Sequence, residues 1–575
     1  MPPKQEVREP ERVMSDTTFE VMVQRGDRWI IHSTFDVEQE AVTEAEKLVK
    51  TKISAVRVIR NWERGDGRHI EKVLLEKQGA GDDQDDDVRV TSIDEAPLCE
   101  TDNDLLQKES RATINRLLRK YFEQEILTPC EVMYNYQNLR KLMFHDTLMP
   151  TAVDKVAGLH AKATDGDHIE AMNNLHGAIE QLSARAREVE KVDLPAFEDA
   201  TISEVRDEIR RLNLAEDTDF LTMVALTRVL SSTRNWVGKL DLALKVKGDE
   251  KDEAARKMID DVIADILGSP VALKELLGGS RSFGEAVTLH IDLALGRAKG
   301  NRGAADDILE LLNPLFGSGL LANSQEAMFD YIVRELRSAN SLQRHESDPD
   351  PLDGILERLI TEQGVIYGTP MVSAIAERGA RLRNVGGPRA LIEGVAEINS
   401  RLIPNFRKLT WLIAVANSGI VEDFADELYE MMRDAVGDMR ALRAFCEPDA
   451  KPRDKMATVK HMNDVLAASN VPDEQKAEIG AKLDDGLAEY LVREKVIERI
   501  DNPSLHLRKR AYMLVQFCSS GVLIEGKSAA MARKRVVGYL KQPNFTDKLV
   551  DDIKDMTTKE GTIRDFYALL QRSGF

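Results

Sequence analysis

From about residue 105 to the end of the chain, apolar residues recur at intervals of three and four, the period of an amphipathic helix. Leu226, Val229, Leu230, Val237, Leu240 and Leu244 share one seam in 222–247, and Met258, Ile259, Val262, Ile263 and Ile266 share another in 254–267. Phe424, Leu428, Met431, Met432, Val436, Met439, Leu442 and Phe445 line up in 423–446, and Leu483, Leu487, Tyr490, Leu491, Ile497 and Ile500 in 482–500. The stripes are wide, about a third of each helix, which suits packed bundles or stacked hairpins better than a coiled-coil seam. Gly and Pro interrupt them at 268–270, 278–279, 300–303, 386–388 and Pro448. That punctuation predicts many helices joined by short turns.

Only residues 17–78 show strand period. Phe19, Val21 and Val23 alternate with polar neighbours in TFEVMVQ, QRGDR turns the chain, and WIIHSTF returns. Asp36, with Gln39 three residues on, is a capping-box pattern before a helix with Val37, Ala41, Ala45, Leu48 and Val49 on one face. SAVRVIRNW and HIEKVLLEK, separated by ERGDGR, read as two more strands. The expected fold is mainly α: a small N-terminal α+β module of β-β-α-β-β order, then a large multi-helix body of bundled or stacked hairpins. Both turns contain Arg-Gly-Asp (Arg25-Gly26-Asp27 and Arg64-Gly65-Asp66), which reads as turn chemistry rather than as an adhesion motif.

Composition divides the chain further. Residues 1–16 are expected to be a disordered N-terminus and 17–78 the module. Residues 79–104 form a flexible acidic linker, because 81–104 hold ten acidic residues and one arginine, whose like charges repel. A helical domain covers 105–345, a subdomain 346–450, and a C-terminal subdomain 451–575, with joints at NSLQRHESDPDPLDG (340–354) and EPDAKPRDK (447–455). Segments 254–277 and 530–550 share Ala-Arg-Lys, an apolar helix and a proline. That fits an old duplication as well as it fits any helical hairpin.

Charge narrows the function. The 575 residues carry 79 Lys and Arg against 99 Asp and Glu, a net charge of −20. That balance disfavours nonspecific binding to nucleic acid or to anionic membranes. Cys99, Cys130, Cys446 and Cys518 form no C-x-x-C pair, so reduced thiols in a cytoplasmic protein are expected. MPPKQEVREPERVMSD lacks the apolar core of a signal peptide, and the longest apolar window, 409–421, is too short to span a bilayer. There is no G-x-x-x-x-G-K-[ST], G-x-S-x-G or H-E-x-x-H, and no cofactor is expected. The Gly-rich stretches 278–287 and 384–394 lack a phosphate-binding lysine and a preceding strand, and read as helix–helix turns.

Two clusters could carry chemistry. HAKATDGDHIEAMNNLH (160–176) and the nearby His145-Asp146 pair make His145, Asp146, His160 and His168 candidate metal ligands for a metal-dependent hydrolase. The pair resembles the His-Asp dyad of the HD-type metal-dependent phosphohydrolases. That family's pattern also needs an earlier His, and here only His32 and His69 precede the pair, both in the β module. On one continuous helix His160, His168 and His176 would step apart by about 80° each. A break at 164–167 instead predicts a hairpin, with Asp165 or Asp167 as N-cap and an apolar face of Ile169, Met172, His176, Ile179 and Leu182. The Glu-x-x-His spacing of di-metal bundles is absent here.

The second cluster is basic. Between His506 and Lys541 eight cations face one acid, Glu525. Arg508, Lys509, Arg510, Arg533, Lys534 and Arg535 are the candidate anion-binding residues. Each triplet spans about 200° of a helix, so it cannot form one face, and solvated surface is the competing reading. The leading expectation is a non-enzymatic cytoplasmic helical protein of the binding, scaffold or regulatory kind, whose tethered N-terminal module engages protein partners. The alternatives are a metal-dependent hydrolase around 145–176 and an anion or nucleic-acid binder through 506–541.

Overall fold

A computed structural model describes residues 17–25, 28–49, 55–63, 69–78, 89–145, 147–214, 216–247, 252–300, 305–345 and 347–575. The N-terminal stretch 1–16, the Gly-Asp of the first Arg-Gly-Asp turn, the whole of the second, and 79–88 lie outside the described residues. The chain divides into two compact units, Met1–Arg89 and Val90–Phe575.

The first unit has the β-β-α-β-β order that its periodicity predicts: β1 (Thr17–Arg25), β2 (Arg28–Phe35), α1 (Glu38–Val49), β3 (Ala55–Glu63) and β4 (His69–Gln78). The sheet order is β2-β1-β3-β4, every neighbouring pair antiparallel. Two hairpins therefore meet at β1 and β3, and α1 carries the chain past β1 to its other edge. Phe19, Val21 and Val23 on β1 and Val56 and Val58 on β3 pack with Ala41 and Ala45 of α1. Two alanines one turn apart let the helix axis sit close to the sheet. Val37, expected on the buried face, precedes α1 and is half-exposed.

The second unit is helical almost throughout, so the chain is mainly α. Short polar caps start many of its helices. Thr101 with Asp104, Thr128 with Glu131 and Thr201 with Glu204 are complete capping boxes, each satisfying two otherwise unpaired donors. The stripe Met258, Ile259, Val262, Ile263 and Ile266 is buried in a single helix, Glu253–Leu267. The stripe in 222–247 is split between Thr218–Leu230 and Trp236–Lys245, because the Asn235 side chain caps a new helix by accepting from Gly238 N. A two-residue hairpin, Ile360–Thr361 with Gly364–Val365, interrupts the helices.

Residues 90–104 are packed rather than spread out as a tether. Thr91 N donates to Leu117 O at 2.9 Å, and Cys99 and Leu105 are buried. Two of the acids here are engaged: Asp104 accepts from the backbone of Glu100 and Thr101, and Asp102 lies 3.0 Å from Arg185. The joints at 340–354 and 447–455 are loops inside this one unit, at the starts of the helices Leu352–Leu359 and Pro452–Ala468.

Candidate functional site

The histidine-rich stretch is a helical hairpin. Leu148–Thr164 ends at Asp165, which takes the left-handed conformation at φ 51°, and His168–Val189 begins after Asp167, whose carboxylate accepts from Glu170 N at 2.9 Å. The acids of the turn are thus a C-cap and an N-cap. The histidines diverge. His160 is buried and its Nε2 donates to the Pro97 carbonyl at 2.7 Å, tying down the 90–104 segment. His168 sits 3.4 Å from the Asp154 carboxylate on the preceding helix. His145 lies edge-on to Tyr121, with ring centroids 6.3 Å apart. Asp146 lies outside the described residues.

Among the described residues these histidines share no three-ligand cluster. The apolar face also differs from the expected one: Ile169 and His176 are exposed, and Leu175, Ala178, Leu182, Ala186 and Val189 are buried. Those five keep the 3.6-residue period but are rotated from the predicted stripe, because the neighbouring elements, and not the single helix, decide which side is covered.

The basic region is largely neutralised from within. Arg508 grips Asp552 through both guanidinium nitrogens at 2.7 and 2.6 Å, and Arg533 grips Glu525 at 2.7 and 2.8 Å. Arg510 and Arg535 converge on Asp501, at 2.8 and 2.5 Å. Burial pushes the Asp501 carboxyl up, but bonds from Tyr539, Arg510 and Arg535 outweigh it and hold its pKa below the ordinary value. Of the six candidate residues, only Lys509 and Lys534 are without an ion pair among the described residues. The acids that pair the others come mostly from outside 506–541, which is why the local charge count misleads.

One group could hold a cation on distance alone: His506, Asp551 and Asp552. Its bonding is already complete. His506 Nδ1 accepts from Arg508 N at 3.2 Å, so its proton sits on Nε2 and is donated to Asp551 at 2.6 Å. Asp552 is held by Arg508. A metal would have to displace both.

Buried polar pairs mark the interior of the body. Arg111 donates to both carboxylate oxygens of Asp265 at 3.2 Å, and Asp265 also accepts from Cys130 N at 2.9 Å. Lys239 and Glu131 form a fully buried ion pair, with Lys239 Nζ also donating to Leu230 O at 3.1 Å. Burial lowers the Lys239 pKa and pushes the Cys130 thiol well above its usual value, so Cys130 is not a ready nucleophile. A cavity of about 90 Å³ lies beneath residues 96–99, lined by side chains such as Leu105, Ile114, Leu139, Val153 and Leu182.

A further polar group gathers at the helix Ala322–Arg337, and no motif in the sequence signals it. His290 Nδ1 and the Glu335 carboxylate are 2.8 Å apart, both buried. The His290 ring meets Tyr331 edge-on at 5.3 Å, and the Arg334 guanidinium lies 5.8 Å from the Tyr331 ring centre. Arg334 itself is exposed. The helix Lys108–Leu117, more than 200 residues earlier, is tied to this one by Lys108 Nζ and Glu326 at 2.5 Å. Local periodicity cannot join two helices across that separation. The chain matches no protein-family model, no curated protein and no solved structure.

Proposed function

We propose that the chain is a non-enzymatic binding protein, in which the β-β-α-β-β module engages a protein partner and the helical body is the scaffold that carries it. The observation in favour is the sheet face turned away from α1. There Arg57 lies 3.9 Å from the centre of the Trp29 ring and donates to Glu76 at 3.1 Å, linking side chains of three strands. Val73 on β4 is half-exposed. Trp and Arg are the residues most often found at the energetic centres of protein interfaces, where a rigid ring and a planar cation give area and direction together. A cytoplasmic setting is part of this reading, and four unpaired thiols support it.

The test uses the full-length chain and its Trp29→Ser/Arg57→Glu variant as bait in quantitative affinity capture, with heat unfolding to show that both are folded. Specific partners retained by the parent chain and lost from the variant support the proposal. An identical set on both baits refutes it.

A further inference from the structure

The cavity beneath residues 96–99 is walled mostly by helices of the second unit, but its cover is not a helix. Ala96, Pro97 and Cys99 line it, while Leu98 between them is half-exposed, so one thickness of chain separates the cavity from solvent there. Residues 90–99 contain no helix or strand. They are tied to the body by Thr91 N to Leu117 O at 2.9 Å, Lys155 Nζ to Val90 O at 3.2 Å, His160 Nε2 to Pro97 O at 2.7 Å, and Cys99 Sγ with Ser110 Oγ at 3.3 Å. Only the first of these joins backbone to backbone. A segment held in this way opens more easily than the helices it covers.

The walls have little to offer a polar guest. The polar side chains among them are already bonded: Ser110 Oγ donates to Asp104 O at 2.6 Å, Cys99 faces Ser110, and Thr113 Oγ1 accepts from Arg116 at 3.2 Å. A water needs two to four polar partners, which these walls do not supply. An unfilled apolar void forfeits contacts and destabilises a fold, so a guest that restores the contacts is favoured. Size narrows the guest. The cavity's volume of about 90 Å³ is roughly three times the ~30 Å³ that a water occupies in the liquid, and smaller than the ~150 Å³ apolar cavity that accepts benzene. A slim chain of a few carbons fits better than a ring. Met133 and Met149 in the walls are unbranched and flexible, and can follow its outline.

We propose that this cavity is a binding site for an aliphatic chain, either a short neutral one or the end of a longer lipid tail, which enters past residues 96–99. Any polar head stays outside, because the walls hold no partner for it. This inference concerns the second unit and is independent of the sheet face of the first, so either can fail alone.

Isothermal titration of the full-length protein, with 1-hexanol in one arm and dodecanoate in the other, tests it. The expected result is saturable binding at one site per chain. Tighter binding of dodecanoate assigns the site to the end of a longer tail, and binding of hexanol alone assigns it to a short neutral chain. Ala152 lines the cavity, and Ala152→Leu should fill it and weaken binding at least tenfold. Leu139→Ala enlarges the cavity and should tighten binding of the same probe. Leu311→Ser, which removes a half-exposed side chain outside the cavity, should change nothing. Heat unfolding without probe gives a second readout: the midpoint of Ala152→Leu lies at or above that of the parent, as for a filled void. Should Ala152→Leu not fold, Val156→Ile is the milder filling variant and should weaken binding in the same sense. No saturable binding in either arm, binding indifferent to the filling variants, or equal weakening by Leu311→Ser would each overturn the proposal.

Discussion

At the scale of single residues, buried charges give the sharpest expectations. Lys239 and Glu131 are both fully buried, so removing one leaves the other charged or unpaired in the interior. Lys239→Met is expected to cost about 3–5 kcal/mol in urea unfolding, with part of that recovered by Lys239→Met/Glu131→Gln. Asp501 makes a prediction about acid. Its folded pKa lies below the ordinary 3.8, since the bonds from Tyr539, Arg510 and Arg535 outweigh its burial. A depressed carboxylate contributes stability that is fully present above its unfolded value and is lost as pH falls through the folded one. The stability gap between the parent and Asp501→Asn should therefore be constant near neutral pH and shrink below pH 3.8. Denaturant midpoints across an acid series check this; a gap that widens on acidification would contradict it. The candidate residues themselves were legible as types and not as contacts. The sequence shows that Arg508 and Arg533 are cations, but not that Asp552 and Glu525 hold them.

At the scale of elements, periodicity and capping carried most of the prediction. The histidine hairpin broke where Asp165, Gly166 and Asp167 said it would, because the left-handed turn and the N-cap are local bonds among neighbours in sequence. How helices approach each other was not legible. Thr369–Leu382 and Ala390–Arg401 cross where Gly379 faces Gly394, and a Cβ at 394 would lie 2.1 Å from Ala376 O. Gly394→Ala should thus destabilise by about 1–3 kcal/mol through overpacking, outweighing the gain of up to about 1 kcal/mol in helix propensity. Gly177, in the helix His168–Val189, has open space where a Cβ would stand. Gly177→Ala should stabilise by about 0.5–1 kcal/mol. Two glycines that look alike in sequence are expected to move the denaturant midpoint in opposite directions, and movement in the same direction would undo the contrast.

At the scale of the whole molecule, two units with separate cores imply separable stability. Val21 belongs to the small core of the first unit, together with Phe19, Val23, Ala41, Ala45, Val56 and Val58. Val21→Ala should speed hydrogen exchange in peptides from 17–78 and leave those from 90–575 unchanged, since local opening depends on the core to which a residue contributes. Faster exchange across both units would mean that they unfold as one. No helix among the described residues is long and apolar enough to cross a membrane.

What the sequence determined by itself is whatever nearest neighbours decide. That covers the class of most elements, though not the hairpin at 360–365, the local caps of the histidine hairpin, the β-β-α-β-β order of 17–78 and the helical character of the longer second unit. Tertiary structure decided everything else, because its contacts join residues too far apart for any periodicity to report. It chose which side of His168–Val189 is buried, drew 90–104 onto the body through His160 and Thr91, and answered the basic cluster with Asp501 and Asp552. A charge's meaning depends on what stands opposite it, and only the folded chain supplies that.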